Sequence, residues 1–277
     1  NNLITMTGDI STSGDGARAI WLSSADSTTN NTIVMTGDIL TSGEGAVAIQ
    51  IESDSNTTTI NGNITTTGAG SRGIYVQDSD SNTTTLTGDI TTTGERNLGT
   101  GYGANGITIE NSDSNNTTLI GNISTTGFTA SGIHLLSGSD FNTLTIIGNI
   151  TTTEDIAMGI HMFDSDSNTT TMTGNITTSG DSSHGILLDT SASNTISLLG
   201  NINVNDSNSR GVFIFQGSGN NLNITGNIIT SGTGGNAEPI LLEGSDSNTF
   251  TLSGAVHSLG GDQAIAVDTN SQNNTFT

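Results

Sequence analysis

Four arginines, four histidines and 26 acidic residues are the side chains of this 277-residue sequence that could carry chemistry; lysine and cysteine are absent. Arg18, Arg72 and Arg210 each stand just before an Ala-Ile, Gly-Ile or Gly-Val pair, as variants of one turn position, and Arg96 stands apart. Glycoside hydrolysis needs two facing carboxyls, one of them held protonated. The acids here are spread through repeated turns, so no catalytic pair is expected and the chain reads as non-enzymatic. His134 and His161 are 27 residues apart; two imidazoles without an evident third ligand make a poor metal site. Without cysteine there is no disulfide or thiolate chemistry.

Those residues are placed by a repeat. The tripeptide Gly-(Asp/Asn)-Ile recurs, with slight variation, at Gly8, Gly37, Gly62, Gly88, Gly121, Gly148, Gly174, Gly200, Gly226 and Gly254, at spacings of 25 to 33 residues. Aliphatic residues sit two before and two after each anchor (Leu86 and Ile90 in one repeat) and again in a Gly-Ile-x-Val strand (Ile74 and Val76). Alternation of this kind is a strand signal. It predicts four aliphatic ladders lining one interior, with threonine filling the alternate outward sites because β-branched residues favour strands. Insertions such as Glu95 to Gly103 (ERNLGTGYG) fall where a loop can leave the coil. The predicted fold is all-β: a right-handed parallel β-helix, or β-solenoid, of about ten coils of ~26 residues with three short sheets. Residues 1–277 form one domain, read as a segment of, or a subunit in, a longer fibre.

Six residues before each anchor stands asparagine: Asn31, Asn56, Asn82, Asn115, Asn142, Asn168, Asn194, Asn220 and Asn248, with Asn2 in the first coil. A column of amides can donate and accept along a stack, which predicts a structural hydrogen-bonded ladder; exposed turn asparagines are the alternative. The anchor glycine then marks a bend needing positive φ or close packing. Asn-x-Ser/Thr sequons, Asn63, Asn82, Asn149 and Asn175 among them, arise by chance in so threonine-rich a repeat.

In this register His134 and His161 become neighbours in one outward column, along with Trp21, Tyr75 and Phe213. Phe163 and Phe215 stand two residues further along the same face. Together Trp21, Tyr75, His134, His161, Phe163, Phe213 and Phe215 are the predicted contact face, an ordinary stacked sheet face being the alternative. Asp-Ser-Asp-Ser-Asn turns supply the one cation candidate: Asp78, Asp80, Asp164 and Asp166 could recruit calcium, but no bidentate Glu follows at loop spacing. Solvated Asx turns are the preferred reading, and no cofactor is expected.

Composition excludes two partners. With four basic residues and a net charge of -22, nothing can neutralise a row of phosphates, so nucleic acid is ruled out as a partner. No apolar run approaches the roughly 20 residues that span a bilayer, so no membrane insertion is expected in this segment. The sequence starts at Asn1 without an initiator Met or signal peptide, which reads as a processed or excised piece. Asn1 to Thr5 and Asn273 to Thr277 fall at the same repeat phase, predicting bare strand edges that invite another chain.

The motif LTGDITTTG, with its Gly-Ile-x-(Val/Leu) strands and Ser-Asp-Ser-Asn turns, resembles the passenger repeats of autotransporter adhesins and related bacterial surface β-helix proteins. The resemblance spans nearly the whole chain. It implies an extracellular location at a bacterial cell surface and a structural or adhesive rod. The partners it implies are further copies of itself, or a host or surface glycan or protein. The rival reading is a glycan-binding or glycan-cleaving β-helix module.

Overall fold

A computed structural model describes residues 2–23, 29–99, 101, 103–233 and 235–277. Asn1 of the N-terminal repeat phase and Thr100 and Tyr102 of the insertion lie outside the described residues. The fold is an all-β parallel solenoid of about ten coils, without helix among the described residues. One coil shows the plan: Thr57–Asn61 lies in sheet A, Ile64–Thr66 in sheet B and Arg72–Gln77 in sheet C. Sheet A has eleven strands and sheets B and C have ten each. Every pairing is parallel, each strand pairs with its equivalent one coil away, and ladder positions match one to one, as in Leu86 between Ile60 and Leu119. At about 4.8 Å per strand, ten coils make a rod of roughly 48 Å.

Burial follows the alternation. Through the central coils the aliphatic ladders are fully inside, Ile74, Leu86, Ile90, Ile107 and Ile109 among them, while Ile265 and Val267 of the last coil are exposed. Each such side chain contributes about 1.5–3 kcal/mol, which is how a chain with 31% hydrophobic residues offsets its chain entropy. The interior is wider than the four predicted ladders. Sheet A turns a second position inward (Thr84, Thr117, Leu144, Ile196, Phe250), as does sheet B (Thr92, Thr125, Thr152, Thr178). Threonine is therefore an interior residue as well as an outward one. Its shape suits the pleat, and in the middle coils of sheet B the hydroxyl donates to a nearby turn carbonyl: Thr92 to Ala104 at 2.6 Å, Thr178 to Ser183 at 2.9 Å. The hydroxyls of Thr58, Thr117 and Thr170 in sheet A are buried without a partner.

The anchor glycines make the bend from sheet A to sheet B. Gly88 has φ +147°, and a Cβ there would lie 2.1 Å from the carbonyl oxygen of Gly62 in the preceding coil. Backbone stacks directly on backbone, so only glycine fits.

Candidate interaction surfaces

The asparagine column stands at the turn from sheet C to sheet A, and it is buried: Asn56, Asn82, Asn115, Asn142, Asn168 and Asn194 are at most 1% exposed. Each Oδ1 accepts the backbone N–H of the asparagine one coil earlier, Asn115 to Asn142 at 2.9 Å and Asn142 to Asn168 at 2.8 Å. From Asn115 on, Nδ2 reaches back to a serine or glycine carbonyl in the preceding coil's turn: Asn142 donates to Ser112 carbonyl and Asn194 to Ser165 carbonyl, both at 2.9 Å. The same geometry holds for Asn220, whose Oδ1 takes the N–H of Asn194, and for Asn248 with Asn220; at the N-terminal end Asn31 bonds to Asn56. The column is structural, and the sequon asparagine Asn82 is locked within it.

The aspartates sit beside this ladder, on the exposed side of the turn. Their role is also inter-coil. Asp80 Oδ1 accepts the N–H of Asp113 at 2.7 Å, and Asp166 Oδ1 that of Ala192 at 2.6 Å. Asp78 Oδ1 accepts the Nδ2 of Asn111 at 2.6 Å, while Asp164 is exposed. A carboxylate thus serves where a neutral acceptor would, at the cost of stacking like charges. Burial raises the pKa of the Asp140 carboxyl, and neighbouring Asp166, Asp113 and Asp164 add to the rise against a lowering backbone hydrogen bond. Asp54, Asp78, Asp80 and Asp113 line one shallow acidic depression. Among the described residues, no three His, Asp or Glu side chains converge as a metal site.

The outward side of sheet C is less open than an adhesive strip. Arginine, three residues ahead of the ring, lies over Trp21 (Arg18, 4.5 Å), Tyr75 (Arg72, 4.2 Å) and Phe213 (Arg210, 4.7 Å). Tyr75, expected on the contact face, is 5% exposed and donates its hydroxyl to Glu110. Trp21 donates to Glu52 at 2.9 Å and stays 50% exposed; Phe163 is 43% exposed, and Phe215 packs 6.0 Å from Phe213. His134 and His161 stack with centroids 4.5 Å apart and planes 5° apart. In parallel rings the lone pairs run side by side instead of converging on one ion, so the pair is a packing element. Burial lowers the pKa of all three neighbouring imidazoles: His161 to about 4, His184 to about 3 with Arg210 adding, and His134 well below its usual value. A cleft of about 160 Å³ opens beside His134 and His161, walled by Gly101, Gly103, Asn105 and Met158.

Two features escaped the sequence. The Arg-x-x-aromatic spacing in coils one, three and eight was the available signal for the cation–π pairs. A buried serine column had the Ser of the Asp-Ser-Asp turn as its trace: Ser79 N–H donates to Ser112 Oγ at 3.0 Å and Ser165 N–H to Ser191 Oγ at 3.1 Å. Comparison with protein-family models, curated proteins and solved structures finds no match to the chain.

Proposed function

We propose that this chain is a non-enzymatic structural rod of a bacterial cell surface, acting in a fibre. It would extend either by stacking of copies or as part of a longer coil array. One observation carries the reading: three parallel sheets run through the coils in unbroken register, each strand pairing with its equivalent one coil away. An added coil would prolong the sheets and their aliphatic interior without a separate interface. The autotransporter-type repeat supports the surface location, and the negative charge keeps such rods apart laterally.

Sedimentation and negative-stain microscopy over a concentration series test this. The expected result is rods of constant width that lengthen end to end. A particle that stays monomeric at high concentration and cleaves or selectively binds a glycan, with Trp21→Ala abolishing the effect, overturns it in favour of a glycan-directed module.

A further inference from the structure

Sheet A carries a second regularity that the rod itself does not require. Although the chain bears a net charge of -22, no strand of sheet A contains a charged residue, from LITMT and TTTLT to TLTII and TFTLS. The outward sites are held mostly by threonine. Thr59, Thr85, Thr118, Thr145 and Thr171 form an unbroken column through five coils in direct register. A parallel column at the first strand position includes Thr57, Thr83, Thr143 and Thr169, which are exposed. The hydroxyls of both columns have no protein partner among the described residues. They face water alone.

The geometry is a two-dimensional lattice. Strands stack about 4.8 Å apart, and alternate residues along a parallel strand are about 6.6 Å apart. Apart from Asn116, which stands between Thr83 and Thr143, each lattice point of these columns is a hydroxyl and a methyl held stiffly at χ1, so little entropy is lost when the face is engaged. Such a face cannot grip an ionic partner. It also has no outward aromatic ring on which a sugar could stack, since Phe250 is fully buried and stacks on Phe276 4.8 Å away. What it matches is a solid that itself repeats in two dimensions, has no charge and bonds through oxygen. The oxygen spacings on the prism faces of hexagonal ice lie in this range. Water held by a hydroxyl beside a methyl group is bonded almost as well as in a direct contact.

We propose that the threonine face of sheet A binds ice. This goes beyond the rod reading, and it holds for a single rod whether or not copies stack.

The test uses the whole chain, with folding checked by circular dichroism. It measures partition into a growing ice front and the gap between melting and freezing points. The folded protein is expected to enter the ice and hold crystal growth over a measurable gap. Thr118→Lys, at the centre of the lattice, is expected to reduce both by roughly tenfold. Phe163→Lys on sheet C is expected to leave both unchanged. If Thr118→Lys does not fold, Thr145→Tyr makes the same comparison. The proposal is overturned if the folded protein is excluded from ice, or if the sheet A and sheet C variants behave alike. Retention on crystalline chitin or cellulose with no effect on ice overturns it, as does pairing of this face with a second copy.

Discussion

Asn142 shows how one amide holds three coils. Its Oδ1 takes the N–H of Asn115, its Nδ2 donates to Ser112 carbonyl, and its own N–H goes to Asn168. Asn142→Ala leaves the first two groups buried and unpaired, each at about 1–3 kcal/mol. A loss of about 3 kcal/mol in urea unfolding is expected, and a loss below about 0.5 kcal/mol contradicts the ladder's role. Ile156 presents the opposite case. It has φ +56° in a turn column where Gly16, Gly45 and Gly70 stand in earlier coils, and a β-branched residue is strained there. Ile156→Gly is therefore expected to stabilise the protein by about 1 kcal/mol, read as a higher melting temperature.

On the scale of one element, the outward side of sheet C in coils five to seven is a proton-sensitive patch. Unfolded histidine titrates near 6.5, whereas His161 and His184 titrate at about 4 and about 3 in the fold. Between those values the unfolded chain binds more protons, so stability must fall as pH drops from about 6.5 toward 4; above 6.5 neither state carries the charge. For His161 the full effect is on the order of 3 kcal/mol. His161→Phe preserves a flat ring against His134 and is expected to make the stability profile less steep between pH 6.5 and 4, with His134 and His184 still contributing. An unchanged profile removes His161 as its source. Elsewhere on sheet C the face is not a bare aromatic strip either. Arg18, Arg72 and Arg210 each cover the ring three residues on, a pairing that shields the rings and brings the few cations onto the one sheet that carries charge.

Across the whole molecule, repetition turns a single acidic turn residue into a column. Asp54, Asp80, Asp113, Asp140 and Asp166 follow one another through their N–H···Oδ1 bonds, which places like charges about 4.8 Å apart. Salt shortens the screening length from about 10 Å at 0.1 M to about 3 Å at 1 M. The melting temperature is therefore expected to rise with NaCl. EDTA is expected to leave it unchanged, because N–H donors already hold one oxygen of each carboxylate; a drop on chelation instead identifies the columns as cation sites.

The period alone determined the architecture. Ten Gly-(Asp/Asn)-Ile-type anchors with aliphatic residues at fixed offsets admit one solution, coils stacked so that like lies on like, because alternation at period two fixes which face is buried. The asparagine column was legible for the same reason: its phase never varies. Tertiary structure alone decided what lies between columns. Threonine at an inward site and threonine at an outward site are the same letter, and only the pleat separates Thr84 inside from Thr85 outside. The reach of Arg72 over Tyr75, and of Asp80 to the next coil's N–H, depends on the path of the chain at the turns. There the local sequence varies most and sets the backbone least.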